Sequence, residues 1–325
     1  MEKLGVIGAG AFGTALALAV AERWKEVFLY SDLSSVAQAI NQLHLNLQFL
    51  PGIGVPIHFT GYDTLDTIHT CNVLFLCVPA QGVRSVCEAL KTQHLVETTP
   101  VVVCSKGIEV SSGLLIGEVV SSILPNPVYI LSGPSFAQEL SRCLPTTVTL
   151  AGKQESSLVS LKIILETSTL RIEPSLDPIG TQIGGALKNV LAVGAGFVLG
   201  AGLGEDARAV LVTKGFQEMQ KIAEGLGGAS TTLLGMSGLG DMLLTCMSST
   251  SRNTAFGMRV ARGEIVLPLS EPFQGPLAEG ALTAAVFSKF KARIPHIATP
   301  IFSVICEALY TKRPFVETIK TLLYT

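Results

Sequence analysis

Over the first 175 residues, short and almost continuous apolar runs alternate with stretches whose apolar positions recur at helical spacing. The runs are KLGVIG (3–8), EVFLYS (26–31), NVLFLCVP (72–79), PVVVCSKG (100–107), VYILSG (128–133) and TTVTLAG (146–152), with LRIEPS (170–175) a candidate last strand. They are nearly continuous rather than alternating, which predicts strands covered on both faces. Strands interleaved with helical stretches predict a parallel α/β sheet. Beyond about residue 180 the strand runs stop. Helical spacing then predicts helices over 181–199, 207–226, 230–248, 252–263, 278–292 and 298–311. Asp206 and Ser230 are residue types that cap helix N-termini. The change of pattern near 175–181 sets the expected boundary, with one domain at 1–180 and an all-α domain at 181–325.

The first apolar run leads into Gly8-Ala9-Gly10-Ala11-Phe12-Gly13 and then into a helical stretch over 12–23. Between a strand and a helix, G-x-G-x-x-G is a dinucleotide-binding turn. Gly8 allows the tight bend, Gly10 a close approach to a pyrophosphate, and Gly13 close helix–strand packing; the helix N-terminus faces the anion. Asp32 follows the second strand, 19 residues after Gly13, near the spacing of about 20 expected for a carboxylate that binds the ribose. The fold class is therefore an N-terminal Rossmann-type doubly wound parallel sheet followed by an all-α substrate domain. A signal-peptide core over Leu4–Ala21 is the alternative, but four glycines and Glu2 speak against it.

One segment changes the picture. QIGGALKNVLAVGAGFVLGAGLG (182–204) is small and apolar, with Lys188 as its only charge. From Asn189 to Gly204 it runs only 16 residues without charge and includes five glycines, where a membrane span needs about 20 apolar residues. A buried core helix followed by a glycine-rich loop is expected instead. A lysine is rarely buried unless paired. Either Lys188 snorkels to the surface, or desolvation lowers its pKa and its proton is used. Asp241 is the candidate partner.

The chain is 48% hydrophobic and 15% charged, with a net charge of −2; a charged fraction of about 25% is ordinary. That composition suits a large core of small residues, and the absence of a densely basic stretch argues against nucleic acid. Lys289, Lys291 and Arg293 read as a solvated helix face. The cysteines are seven, an odd number without C-x-x-C, which points to reduced thiols in a cytosol and to no metal site. Cys77 and Cys104 read as small core residues.

Three further stretches carry candidate chemistry, each with a plain structural alternative. Lys106 ends the fourth strand run, where an open α/β sheet places its ligand crevice; it is an anion contact or a surface lysine. Ser132-Gly133-Pro134-Ser135-Phe136-Ala137 offers hydroxyls and backbone amides, or is only a turn. Gly238-Leu239-Gly240-Asp241 leads through Thr245-Cys246 to Ser251-Arg252-Asn253 at a helix start. That start is a phosphate cradle or a capped surface helix.

Taken in this order, GAGAFGTALA (8–17), NLQFLPGI (46–53), SKGIE (105–109), SGPSFAQEL (132–140), LPTTV (144–148), GGALKNVLAVGAG (184–196), GLGD (238–241), SRN (251–253) and AEG (278–280) resemble the bacterial-type NAD(P)-dependent glycerol-3-phosphate dehydrogenases over nearly the whole chain. The resemblance implies reduction of dihydroxyacetone phosphate to sn-glycerol 3-phosphate for glycerophospholipid synthesis, with the site in the cleft between the two domains. Lys188 would be general acid in reduction and base in oxidation, flanked by Lys106 and Asp241. Gly133, Ser135, Thr245, Ser251, Arg252 and Asn253 would bind substrate, the phosphate at Arg252 and Asn253, alongside Lys106, Lys188 and Asp241. Gly8, Gly10, Ala11, Phe12, Gly13, Asp32, Lys106, Ala137, Arg252, Leu277 and Glu279 would touch the cofactor. A cytoplasmic homodimer without membrane insertion is expected.

The chain departs from the family at Glu205 and Asp206, where uncharged or amide residues are usual, and at Lys214, where arginine is common. Asp32 matters more, because many members carry a basic or neutral residue there. NAD(H) is therefore the expected cofactor, with NADP(H) possible. Two other functions remain open: a lysine-dependent β-hydroxyacid or ketopantoate-type reductase, which needs a carboxylate clamp, and a non-catalytic NAD-binding sensor, which needs no buried lysine.

Overall fold

The structure, a computed structural model, describes residues 1–325 except 249, 266–277, 311–314 and 325. It divides into two compact units, Met1–Ser105 with Ile116–Pro178, and Lys106–Leu115 with Ile179–Thr325. The division falls two residues before the expected boundary. It also assigns Lys106–Leu115, which the apolar pattern left in the first domain, to the second unit.

The first unit runs β1 (Lys3–Ile7), α1 (Ala11–Val20), β2 (Glu26–Tyr30), α2 (Ser34–Leu43), β3 (Phe59–Tyr62), β4 (Val73–Leu76), α3 (Val83–Lys91), β5 (Val101–Val103), α4 (Ile116–Ile123), β6 (Val128–Ser132), α5 (Ala137–Leu140), β7 (Thr146–Ala151), α6 (Glu155–Leu165) and β8 (Leu170–Ser175). The strands form one sheet in the order β3-β2-β1-β4-β5-β6-β7-β8. Successive strand residues feed opposite faces. Val73 and Phe75 join one core with Leu16 and Leu161, whereas Leu74 and Leu76 join another with Val83 and Val120. Two covered faces explain why the strands read as continuous apolar runs.

Two features depart from expectation. The sheet is parallel except at β6–β7, which pair antiparallel. The chain reverses at the Gly133 turn, and α6 then carries it to β8, parallel to β7. β3 was not anticipated. Its sequence FTGY has few apolar residues, and as an edge strand it takes support from a side chain: Asn41 donates to Gly61 O (2.9 Å) and accepts from Gly61 N (2.8 Å). The stretch Leu4–Ala21 is β1, the glycine turn and α1, with a 3₁₀ turn over Ala21–Arg23 in place of the last helical residues expected.

In the second unit, α7 (Pro178–Gly200), α8 (Gly204–Gly225), α9 (Asp241–Met247), α10 (Arg252–Ala261), α11 (Glu279–Lys291), α12 (Pro300–Tyr310) and α13 (Phe315–Tyr324) make up the α-helices. By length and composition α7 could cross a membrane, yet it is the core helix of this unit: Gly180, Thr181 and all residues from Ile183 to Val198 are buried. α8 begins before Asp206, which sits in its first turn as a favourable charge rather than as its cap. The single helix expected over 230–248 is broken. A 3₁₀ turn (Ser230–Leu234) and a π turn (Met236–Gly240) precede α9, and Ala229, not Ser230, stands at the first cap position. The cause is packing. A Cβ on Gly184 would lie 2.2 Å from Ser237 O, so α7 and the π turn touch backbone to backbone. α12 is capped by a buried carboxylate from α8. Glu218 accepts from Ile301 N (2.7 Å) and Phe302 N (3.1 Å), and burial pushes its pKa up to about 7.

Candidate functional site

The glycine turn of the first unit has the geometry of an anion cradle. Gly8 adopts φ +105°, and a Cβ there would lie 2.8 Å from Val78 N, at the end of β4. Gly13 closes on the turn, since its Cβ would lie 2.1 Å from Gly8 O. Gly10 faces open space, with no atom within 4 Å of a Cβ position. The first amides of α1, which begins at Ala11, have no intrahelical acceptor. β1 and β4 are adjacent strands whose crossovers lead to opposite sides of the sheet, the point where such folds bind nucleotides. Phe12 and Ala137 pack at the edge of the same core. Asp32 is exposed two residues past β2. The turn therefore fits a dinucleotide pyrophosphate, with Asp32 at the end of the strand where the ribose is expected.

Gly133 and Ser135 also belong to this unit. Gly133 turns at φ +155° tight against Val148, and Ser135 donates to Gly133 O (3.0 Å). Cys104 is buried as expected, whereas Cys77 is only half-buried beside the glycine turn.

The second unit holds an ionic cluster. Lys188, on α7, is 6% exposed and Asp241, the first residue of α9, 1%. Lys188 Nζ donates to Asp241 Oδ1 and to Thr245 Oγ1 (2.8 Å). Lys106 Nζ donates to the other carboxylate oxygen, Asp241 Oδ2 (2.6 Å). Thr245, one turn along α9, donates its own proton to Asp241 O (2.7 Å), which leaves its oxygen to receive the ammonium. Burial lowers the pKa of Lys188 to about 8; the Asp241 charge opposes that shift and the Lys106 charge adds to it. Two ammonium groups share one carboxylate, so the cluster carries one surplus positive charge. A buried ion pair is a poor source of stability, but a desolvated ammonium of lowered pKa is a general acid suited to neutral pH.

Lys106 reaches Asp241 because its segment is anchored in the helical core. Ile108 and Leu115 are buried there and bridge each other, Lys289 donates to Ser111 O, and Arg293 donates to Gly113 O (3.3 Å). Lys289 and Arg293 are exposed, as the solvated-face reading expects, and also hold this hairpin.

Beside the cluster, Ser251 caps α10 by accepting from Thr254 N (3.3 Å). Asn253 donates to Asn189 Oδ1 (2.9 Å) and accepts from Gly280 N (2.9 Å), tying α10 to α7 and α11. Arg252, between them in sequence, is exposed at the start of α10 and has no ion pair among the described residues. Its backbone is held one residue from Asn253, which is bonded to the neighbour of Lys188. Glu279 opens α11 and is half-buried. Leu277 lies outside the described residues. The candidate residues thus form two groups: Gly8, Gly10, Ala11, Phe12, Gly13, Asp32, Gly133, Ser135 and Ala137 in the first unit, and the others that are described in the second. The second group combines a buried ammonium of lowered pKa with an exposed guanidinium at a helix start.

Residues 3–158 match the family model "NAD-dependent glycerol-3-phosphate dehydrogenase N-terminus", and residues 177–320 match the model of the C-terminus. The chain is 39% identical over 310 residues to a glycerol-3-phosphate dehydrogenase (NAD(P)+) of Zymomonas mobilis, covering 95% of this chain and 89% of that one. It is 37% identical to a protein of the same name from Anaplasma phagocytophilum, covering 98% of each. Its structure is similar to the crystal structure of glycerol-3-phosphate dehydrogenase from Coxiella burnetii, with a TM-score of 0.90, 29% identity and 99% of each chain covered.

Proposed function

Since the chain belongs to the NAD-dependent glycerol-3-phosphate dehydrogenase family, we propose a division of labour among its residues for the family's reaction. The protein is an oxidoreductase that reduces dihydroxyacetone phosphate to sn-glycerol 3-phosphate with a nicotinamide dinucleotide. Lys188 is its general acid in reduction and general base in oxidation. The observation that carries this role is a buried ammonium, held by Asp241 and Thr245 and with its pKa lowered to about 8.

A bound reduced nicotinamide supplies the hydride, which leaves negative charge on the substrate's carbonyl oxygen. Lys188 has three N–H groups; two are directed to Asp241 and Thr245, and the third is assigned to that oxygen. The surplus positive charge of the cluster stabilises the developing alkoxide before the proton moves. Asp241 keeps the ammonium oriented, and Lys106 holds the carboxylate in place while adding to the positive field. Arg252 takes the substrate phosphate with the backbone amides of the first turn of α10. The phosphate then orients the substrate from a point away from the reacting carbon. An exposed guanidinium at a capped helix start favours phosphate over the carboxylate clamp of a hydroxyacid reductase. Lys188, Lys106 and Asp241 together disfavour a sensor without turnover.

Arg252→Ala is expected to raise KM for dihydroxyacetone phosphate at least about tenfold while barely changing the slow reduction of dihydroxyacetone. The charge-assisted bond is lost only with the phosphorylated substrate, at about 1.5–3 kcal/mol. Steady-state assays with both substrates decide it; equal losses exclude the phosphate role.

The glycine turn, Phe12, Ala137 and Asp32 are assigned to the cofactor. Asp32 accepts from ribose hydroxyls, and a 2′-phosphate would meet like charge there. No lysine or arginine lies between Lys25 and Arg84 to offset it. We expect kcat/KM to favour NADH over NADPH by about tenfold, a difference of about 1.4 kcal/mol, and Asp32→Arg to narrow or reverse the ratio. A wild-type protein that prefers NADPH removes Asp32 from the ribose site. Supply of glycerol 3-phosphate for phospholipid synthesis, a cytoplasmic location and a homodimeric state complete the proposal, supported by the family resemblance.

A further inference from the structure

We propose that Asn46 is the positioning residue of the dinucleotide-binding turn: it sets the turn's peptide orientation from outside the motif and thereby tunes cofactor affinity. The inference rests on the assignment of the glycine turn to the cofactor. Asn46 is polar yet only 1% exposed. Its Nδ2 donates to Ala9 O (2.8 Å), inside the turn, and to Thr14 Oγ1 (2.8 Å), in the first turns of α1. Its Oδ1 accepts from Phe49 N (3.2 Å). Both amide protons and the carbonyl are thus used, and the contact at Phe49 fixes which end of the amide faces the turn.

The consequence follows from peptide geometry. In a planar trans peptide the carbonyl of one residue and the N–H of the next point in opposite directions. Holding Ala9 O toward Asn46 therefore aims the N–H of Gly10 away from it. Gly10 is where the backbone opens to space and where a pyrophosphate is expected to approach. The second bond, to Thr14, locks α1 to the same side chain, so the turn and the helix amides keep one mutual orientation. Thr14 N bonds Gly10 O (3.0 Å), which closes the circuit. Glycines make this conformation accessible but do not select it, because each lacks a side chain to hold its neighbours. Asn46 supplies the selection. It touches no expected cofactor atom and acts through Ala9 and Thr14.

Direct binding of NADH to the full-length chain, followed by fluorescence titration without substrate, tests this. Asn46→Ala is expected to raise the Kd for NADH about tenfold. Thr14→Val, which keeps shape and removes one acceptor, is expected to raise it several-fold. The double variant should bind no more weakly than Asn46→Ala alone, because residues that act through one bond are not additive. In turnover, KM for NADH rises in step, while kcat at saturating NADH and KM for dihydroxyacetone phosphate stay within about twofold of wild type. An unchanged Kd in a folded Asn46→Ala protein, or a kcat that falls while Kd does not move, overturns the proposal. If Asn46→Ala does not fold, Thr14→Val decides by the same criterion. A wild-type protein that does not bind NADH removes the cofactor assignment of the turn, a separate failure from that of Asn46.

Discussion

Lys188→Met lowers kcat for dihydroxyacetone phosphate reduction by at least about 100-fold, the lower end of what general acid–base catalysis contributes, and leaves the Kd for NADH nearly unchanged. Methionine matches the length of the stem and fits among the small apolar residues of α7, so the core is kept and only the ammonium is lost. The pH profile gives a second readout. Lys188 has a pKa lowered to about 8 by burial. Reduction needs its protonated form, so the reduction rate falls as pH rises through about 8. Oxidation needs the neutral amine, so the reverse rate rises over the same range. Both limbs should vanish in the variant. A folded Lys188→Met protein with near wild-type turnover and an unchanged pH profile would falsify the assignment.

Asp241→Asn has the second large effect, and its sign is set by the same cluster. The carboxylate is the group that raises the Lys188 pKa against burial and against Lys106. Without it the pKa falls below about 8, and the reduction limb moves to lower pH by about one unit or more, the usual size of a neighbouring-charge effect. At pH 8 most of the lysine is then neutral, and reduction falls at least about fivefold from protonation alone, with a further loss because the ammonium has lost its orientation. Two lysines also remain beside each other without a counterion. Breaking a buried pair costs about 3–5 kcal/mol, so a lower unfolding temperature accompanies the kinetic change. A pH–rate profile with melting curves for both proteins reads each effect. A reduction limb that stays in place would show that Asp241 does not set the protonation of Lys188.

The fold was legible wherever a local pattern had a single structural outcome. Seven runs became strands; the central ones are continuous because a strand covered on both faces has no polar positions to spare, while β8, at the edge, alternates buried and exposed residues. Lys188 stood out because its neighbours are small and apolar, a contrast visible without coordinates. Local pattern misled where two outcomes share one spacing. The apolar positions of 230–248 suit a continuous helix, but backbone contact between Gly184 and Ser237 imposes a break just before Asp241. Lys289 and Arg293 read as solvent-facing charges and are exposed, but no local signal shows their bonds to the hairpin at 106–115. Ser251 and Asn253 carry structural bonds that the sequence did not show, a helix cap and an inter-helix tie.

By itself, the sequence determined seven of the eight strands, the helical character of the second half, the glycine turn, the acid after β2 and the presence of one misplaced lysine. Each is written in neighbouring residues, through periodicity, glycine spacing or charge contrast. Tertiary structure alone decided which residues meet. Lys106 belongs to the helical unit because Ile108 and Leu115 are buried there, not because of its place after a strand. Asp241 lies 53 residues from Lys188, and Asn46 lies 37 from Ala9. No periodicity spans such separations. They are closed by packing of whole elements, and only that packing brings a lone charge to its carboxylate and a buried asparagine to the glycine turn.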